Sequence, residues 1–376
     1  MAEGKWSSLE SAVIKSLRKF RDKYLQRDLI NTTTGENADK DAITGSCYLE
    51  SIPVDMQFYV MSFLSPQDLC QLGSTSQYWR SVVRDPVLWK YFLLRDLPSW
   101  SSIDHSSMPD LQGLDRPVLD STESTSPDFM AEYLKGCPAC RRRRSPLRPV
   151  YSVVTSFLHS LVVHTEPRFA MFGPGLEQLD VSFVMRMMNS PDVLPVAGLP
   201  QRQIDGIGSG ISFLYNNQQQ FNILTLYSTV REERERARAE QHSVQSKLFV
   251  TGSAMEPESV DTKYTIIPHV QEVCRVVDGF IYVANAEDLT GCERKDELAQ
   301  IRAMIDPVWG SSGRPLLVLS IISRAGHSRV PCVYMAQQLH LSRLPNPWLV
   351  QDTEAESLNG LLSGIQWLLR ELGIVV

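Results

Sequence analysis

Long apolar runs are what this chain of 376 residues most clearly lacks. None approaches the ~18–20 residues that a membrane-spanning helix needs, so we expect no membrane segment. The first residues, Met1–Glu10, have neither the basic start nor the apolar core of a secretory signal peptide. The formal net charge of -6 offers no general attraction to nucleic acid. These absences favour a globular protein that acts away from membranes and from nucleic acid.

Cysteine is sparse and scattered, with seven residues along the chain. An odd, dispersed set predicts reduced thiols, as in a cytosolic or nuclear protein, and we expect a cytoplasmic location with the nucleus as the alternative. Cys137 and Cys140 have the spacing of half a zinc site. A structural zinc site takes four ligands, and the sequence holds no second pair of this kind. We therefore predict no metal site.

A compact stretch from Ile52 to Trp79 carries more apolar surface than it can bury. Apolar residues recur there at helical spacing in two short helices, the first beginning near Pro53 and the second at Pro66, with Ser65 as its N-cap. A unit of about forty residues does not normally build a self-sufficient core. The leftover apolar face therefore predicts a surface for docking a partner. The alternative is an ordinary three-helix subdomain whose apolar stripes are all internal.

The order of residues in this stretch resembles the F-box motif. The matching positions are Ile52-Pro53-x-Asp55-Met56, Phe63-Leu64, Asp68-Leu69, Trp79 and Leu88-Trp89. Two positions depart from the motif, since Ile52 replaces its usual leucine and Gln77-Tyr78 replaces a Val-Cys pair. The resemblance implies docking onto a Skp-type adaptor, which bridges to the cullin and the RING subunit of an SCF ubiquitin ligase. The residues assigned to this apolar adaptor interface are Pro53, Met56, Val60, Phe63, Leu64, Leu69, Leu72 and Trp79.

The resemblance to F-box proteins covers nearly the whole chain, in stretches such as 62–75, 85–100, 168–179 and 277–287. It implies a non-catalytic substrate-recognition subunit that delivers proteins for ubiquitination and proteasomal degradation. The substrates that it suggests are a telomere-repeat-binding factor, which would connect the chain with telomere maintenance, and D-type cyclins. It also suggests that substrate docks by strand addition at a sheet edge. An F-box scaffold that acts outside a ligase remains the alternative.

Composition divides the chain into four parts. Residues 1–46 hold an amphipathic helix and a flexible connector, residues 47–98 the F-box region, residues 99–150 a Ser-, Pro- and Asp-rich linker, and residues 151–376 an α/β domain. The first helix either folds back on the F-box region or pairs two chains into a homodimer, because its apolar residues alternate by threes and fours. Within the linker we expect one short helix near Asp128–Lys135.

Residues 151–376 alternate apolar strand runs with amphipathic helices. The runs 279–286 and 315–322 have the continuous apolar character of buried strands, and Asn216–Gln220 separates two β-rich runs as in a hairpin. This order predicts a mostly parallel sheet with helices on both faces, and it is similar to the small-GTPase fold. The predicted fold class is therefore α+β multidomain, with a helical F-box region followed by a small-GTPase-like α/β domain.

The nucleotide-binding motifs of that fold are absent from the sequence. A P-loop needs a lysine and a Ser or Thr, but the loop Phe172–Leu179 has neither and contains Pro174 and Glu177. Residues 227–230 stand where Asp-x-x-Gly is expected, and residues 321–324 stand where Asn-Lys-x-Asp would read guanine. We therefore predict no nucleotide hydrolysis, no cofactor and no catalytic residue. A GTP-binding switch protein is the alternative from another functional class.

Overall fold

The computed structural model describes residues 49–111, 114, 128–144, 166–198, 208–226, 248–251, 264–287 and 294–374. The chain forms two compact units. Unit 1 comprises the chain up to Leu97 together with Pro109–Cys137, and unit 2 comprises Pro98–Met108 together with the chain from Pro138 onward. The amphipathic helix predicted within residues 1–46 lies outside the described residues, as do residues 227–230.

Unit 1 is helical where the structure describes it. Its helices are α1 (Val54–Ser62), α2 (Pro66–Thr75), α3 (Gln77–Val82), α4 (Pro86–Asp96) and α5 (Phe129–Gly136). Local signals set the helix starts, because side-chain oxygens accept hydrogen bonds from the free N–H groups of the first turn. Ser65 accepts from Asp68 N at 3.2 Å, Ser76 from Trp79 N at 3.1 Å, and Asp85 from Val87 N at 2.8 Å.

Aromatic side chains of α4 and α5 form the core of unit 1. Trp89 and Phe92 are fully buried, and the Trp89 ring meets the Tyr133 ring edge-on, with 5.4 Å between centroids. The Tyr133 hydroxyl donates to Asp96 Oδ2 at 2.7 Å, and Trp89 Nε1 donates to Val83 O at 2.6 Å. Helix α5 therefore packs on α4, although its residues fall in the stretch 99–150 that was predicted to be a linker.

Unit 2 contains an eight-stranded sheet and a separate two-stranded sheet. The large sheet has the order β1-β10-β9-β8-β2-β5-β4-β3, and β6 pairs with β7. The strands are β1 (Ser102–Asp104), β2 (Arg168–Phe172), β3 (Val196–Gly198), β4 (Gly208–Tyr215), β5 (Gln219–Leu226), β6 (Phe249–Thr251), β7 (Tyr264–Ile266), β8 (Gly279–Asn285), β9 (Leu316–Ile322) and β10 (Trp348–Glu354). The helices are α6 (Pro138–Arg144), α7 (Gly175–Gln178), α8 (Phe183–Met188), α9 (Pro268–Val276), α10 (Lys295–Ile305), α11 (Cys332–Gln338) and α12 (Leu361–Glu371).

The large sheet is mixed. The neighbours β5, β2, β8, β9 and β10 run parallel to one another, whereas the pairs β4–β5, β3–β4 and β1–β10 are antiparallel. The predicted hairpin is present between β4 and β5, where Asn216 and Asn217 both have positive φ, as a tight hairpin turn requires. The prediction of a helical N-terminal region followed by an α/β domain is confirmed.

Helices cover both faces of the large sheet. Every residue of β8 and β9 is buried, which explains their continuous apolar sequence. On one face Ile281 and Leu317 share a cluster with Ile365 of α12. On the opposite face the Tyr282 hydroxyl donates to Glu297 of α10 at 2.5 Å. The core of unit 2 therefore consists of two layers, one on each side of the central strands.

Candidate functional site

A row of exposed apolar side chains lies along one side of α1 and its C-cap. Met56, Tyr59, Val60 and Phe63 are 52%, 61%, 39% and 71% exposed, and we call these four residues the docking ridge. Their spacing of three and four residues places them on a single helix face. The Tyr59 and Phe63 rings contact each other edge-on, with 4.9 Å between centroids. The four side chains therefore form one apolar row on the surface of unit 1.

The residues assigned to the adaptor interface divide into an accessible group and a buried group. Pro53, Met56, Val60 and Phe63 are exposed, and Leu64 and Leu72 are partly exposed. Leu69 and Trp79, by contrast, are 0% and 3% exposed. These two side chains belong to the core of unit 1 and support the accessible group. Their assignment to adaptor contact, like that of the other six, stays a prediction.

Tyr59 is a ridge residue that the sequence interpretation missed. It lies three residues after Met56 and four before Phe63, so helical spacing alone could have found it. The structure shows that its ring extends the apolar row between Met56 and Phe63.

The buried Gln57 ties α1 to the residues before it and to α3. Its side chain is 1% exposed and makes hydrogen bonds at both ends of the amide. Nε2 lies 3.1–3.3 Å from the carbonyl oxygens of Leu49, Glu50 and Ile52, and Oε1 accepts from the Tyr78 hydroxyl at 2.7 Å. Tyr78, one of the departures from the F-box motif, therefore ties α3 to α1 through a buried polar contact.

Arg95 holds the other end of the same helix. Its Nη1 donates to Ser62 O at 2.8 Å, at the C-terminus of α1, where a cation also stabilises the helix dipole. The guanidinium pairs with Asp96 at 2.6 Å and stacks over the Phe92 ring at 4.5 Å. Both ends of α1 are thus anchored to the core of unit 1, and the ridge is presented on a fixed helix.

The loop in the position of a P-loop packs directly against β8. Gly173 has a φ of 127°, and a Cβ added to it would lie 2.5 Å from Val283 O. A Cβ on Gly175 would lie 2.8 Å from Val283 Cγ1. These glycines serve close packing of the loop against the strand, and the helix that follows, α7, is only four residues long. The loop is therefore fitted closely to β8 at these two glycines.

Side chains also occupy the carboxyl end of β8, where ligands bind in open α/β sheets. Arg294 donates to Glu297 at 3.1 Å and to the Asn285 carbonyl at 2.8 Å. Asn285 Nδ2 in turn donates to Gln178 of α7 at 3.1 Å. Burial, and then the charge of Glu297, raise the pKa of Tyr282 well above its ordinary value, so this hydroxyl remains a donor. The polar side chains at this end of β8 are therefore hydrogen-bonded to one another within the protein.

Residues 321–323, where Asn-Lys-x-Asp would begin in a small GTPase, also serve the structure. Ile321 and Ile322 are buried at the end of β9, and the amide of Ser323 donates to Glu287 Oε1 at 2.6 Å. The same carboxylate oxygen lies 2.8 Å from His327 Nδ1. Burial opposes the ionised form of Glu287, but the hydrogen bonds from Ser323 and His327 outweigh it and lower the pKa of this carboxyl.

In the part of the chain that the structure describes, no helix is long and apolar enough to cross a membrane. No group of three or more His, Cys, Asp or Glu residues in that part is arranged to hold a metal ion.

The docking ridge lies within a segment that matches a known protein family. A family model described as F-box-like matches residues 49–95. Along the whole chain, F-box only protein 4 from mouse is 54% identical and that from human is 53% identical, each over 367 residues. Both alignments cover 98% of this chain and 94% of the relative.

A solved structure gives a much weaker match. The Arl6 BBS3 small GTPase from Trypanosoma brucei, bound to a nucleotide analogue, is 17% identical, with a TM-score of 0.32. The match covers 56% of this chain and 98% of that one. A likeness at this score carries no argument about nucleotide binding.

Proposed function

Because this chain belongs to the F-box only protein 4 family, we propose that it is the substrate-recognition subunit of an SCF-type ubiquitin ligase. The observation that carries the proposal is the exposed docking ridge, which lies inside the segment that the F-box-like model matches. The ridge binds a Skp-type adaptor, and through it the cullin and the RING subunit. The chain itself contributes no catalytic residue.

Burial of the ridge supplies the energy of docking. Each large apolar side chain that becomes fully buried contributes roughly 1.5–3 kcal/mol. Met56, Val60 and Phe63 together can therefore hold a stable interface, to which Pro53 and Leu64 add contact at the edge. Gln57 and Arg95 lower the entropic cost of binding, because they hold α1 in place before the adaptor binds.

Unit 2 recruits the substrate, for which a telomere-repeat-binding factor and a D-type cyclin are the candidates. The outer edge of β3 is the better of the two sheet edges for strand addition. Val196 and Ala197 are exposed, and the space around Gly198 is open. At the other edge Arg141 already donates to the backbone oxygen of Ser102 at 2.6 Å, so β1 is a poorer template.

Ubiquitin transfer then follows from proximity. Holding substrate and adaptor on one chain raises the effective concentration of substrate lysines at the ligase, which needs no chemistry from the receptor. Ubiquitinated substrate passes to the proteasome. We place this activity in the cytoplasm, with the nucleus as a second compartment where the telomere-repeat-binding substrate would be met. Pairing of two chains through residues 1–46 is part of the same proposal.

Co-purification with a Skp-type adaptor tests the ridge. The variant Met56→Ala plus Phe63→Ala removes two exposed apolar side chains, and the lost burial of at least about 3 kcal/mol should weaken adaptor binding about 100-fold or more. The matched control, Met185→Ala plus Val308→Ala, removes two exposed apolar side chains from unit 2 and should bind as the wild type does. Undiminished binding by a folded ridge variant would contradict the proposal.

Two alternatives give different results with the full chain. A scaffold outside the ligase would bind the adaptor but leave cullin behind. A GTP-binding switch would show stoichiometric nucleotide binding by calorimetry. The packing of Gly173 and Gly175 on β8 and the network around Arg294 argue against the second result.

A further inference from the structure

Arg314 is a buried cation in the loop that leads into β9. The residue is only 4% exposed. Its guanidinium carbon lies 4.7 Å from the centroid of the Phe280 ring, and its carbonyl oxygen accepts from Asn346 Nδ2 at 2.9 Å. Burying a cation is unfavourable unless its N–H groups are hydrogen-bonded and its charge is paired. Each nitrogen of this guanidinium therefore needs a partner.

One of the three nitrogens has a structural role at the C-terminus of α9. Arg314 Nη1 donates to the carbonyl oxygen of Cys274 and lies 3.4 Å from that of Val277. These carbonyl groups lie at the negative end of the helix dipole, where a cation is stabilising. The cap accounts for Nη1 and for the position of the side chain, but it leaves Nε and Nη2 unexplained.

The opposite edge of the guanidinium has no partner. Arg314 Nε and Nη2 are both buried, and neither has a hydrogen-bond partner among the described residues. Asp278 acts on Arg314 only through its charge, because Asp278 is exposed and its Oδ2 accepts from Arg168 N at 2.9 Å. Burial lowers the pKa of the Arg314 guanidinium, against that charge, as expected for a cation that is incompletely compensated.

The same edge of another arginine in this chain shows which group it fits. Arg95 Nε and Nη2 donate to the two carboxylate oxygens of Asp96 at 2.6 Å and 2.9 Å. Two parallel N–H groups match the two oxygens of a carboxylate, which gives a bidentate ion pair. One guanidinium also balances the single charge of a carboxylate, whereas a phosphate group carries about -1.5 to -2 at pH 7. The unpaired edge of Arg314 therefore matches a carboxylate.

An exposed loop covers the guanidinium of Arg314. A Cβ added to Gly310 would lie 2.8 Å from Nη1 and 3.3 Å from Nη2, so the backbone of Gly310 rests on the charged group. Gly310 is exposed, as are the next three residues, Ser311, Ser312 and Gly313. The space around Gly313, where the chain has a φ of 80°, is open. On this side, a small displacement of residues 310–313 is enough to bring the guanidinium to the surface.

We propose that the Nε and Nη2 edge of Arg314 is a binding site for a carboxylate group, which enters past the loop of residues 310–313. The carboxylate belongs either to a free carboxylic acid or to an acidic side chain of a partner protein. The site lies at the amino end of β9, whereas Asn285 and Arg294 form their network at the carboxyl end of β8. It is therefore separate from the place where a small GTPase would bind its nucleotide.

Thermal unfolding of the full chain in sodium propionate tests the site. Propionamide serves as the neutral isostere, and sodium chloride keeps the ionic strength equal. At ten times its Kd, propionate should raise the ratio of folded to unfolded protein about tenfold and the unfolding temperature by roughly 3–6 °C, with saturation, whereas propionamide and chloride should not. A capped peptide with a single glutamate separates the two sources. A shift with this peptide assigns the site to a partner's side chain, and a shift with propionate alone assigns it to a free acid.

Variants of Arg314 test whether its paired N–H groups hold the carboxylate. Arg314→Met should abolish the shift, and Arg314→Lys, which keeps the charge without the two parallel donors, should need at least about tenfold more propionate. Arg302→Met, on the exposed side of α10, is the matched control and should respond as the wild type does. Equal shifts with propionate and propionamide, no shift with either propionate or the peptide, or a shift that persists in Arg314→Met would overturn the proposal. If the Arg314 variants do not fold, the comparison of propionate with propionamide in the wild type decides the question.

Discussion

Gln57 is buried and follows the ridge residue Met56 in α1, and its replacement by methionine tests whether a buried amide holds α1 in place. Methionine keeps the length of the side chain but makes none of its hydrogen bonds. The change leaves the Tyr78 hydroxyl and the carbonyls before α1 without their buried partner. The two hydrogens of Nε2 are shared among the three carbonyls, so the amide makes two or three bonds at once; at about 1 kcal/mol for each, we expect a loss of about 2–3 kcal/mol.

Hydrogen exchange in α1 and α3 measures this loss in unit 1 alone. A loss of that size should lower protection in Val54–Ser62 and Gln77–Val82 about 30- to 150-fold. The matched control is Gln71→Met on α2, where the glutamine is exposed and the same change should have little effect. Equal protection in the two variants would refute the claim that Gln57 orders the ridge. Adaptor affinity should fall in parallel with protection, because a loosened α1 must be ordered before it docks.

Two further variants test the packing of unit 2 where a small GTPase would bind its nucleotide. Arg294→Met removes a nearly buried guanidinium and leaves the partly buried Glu297 without its cation. It should lower the stability of the full chain by about 2 kcal/mol in thermal unfolding, whereas Arg302→Met on the exposed side of α10 should not. Gly175→Ala should lower the unfolding temperature because its Cβ would meet Val283, whereas Gly198→Ala, with open space around it, should be tolerated. A Gly175→Ala protein as stable as the wild type would contradict the packing of this loop.

Features with local causes could be predicted from the sequence. The start of α2 follows from Ser65 and Pro66, because a hydroxyl that caps the first turn and a proline at the first helical position act within a few residues. The hairpin between β4 and β5 follows from Asn216 and Asn217, which tolerate positive φ. Strands β8 and β9 follow from runs that are apolar at every position.

Features that depend on distant partners could not be predicted in the same way. Strand β1 has no signal of its own in a Ser- and Pro-rich stretch, and its partner Gln351 lies 250 positions away from Ser101. Periodicity placed Leu69 and Trp79 with the ridge residues, but it cannot tell which residues of a short helical unit the other helices will cover. Their burial depends on packing against other helices of unit 1.

Assembly of the ligase on the docking ridge is the most direct test of the central claim. Full-length chain is mixed with Skp-type adaptor, cullin and RING subunit, and cullin recovery is measured for the wild type, for Met56→Ala plus Phe63→Ala, and for Met185→Ala plus Val308→Ala. We predict that cullin is recovered with the wild type and the control but is lost with the ridge variant. Recovery of adaptor without cullin by the wild type, or full recovery of cullin by a folded ridge variant, would contradict the account.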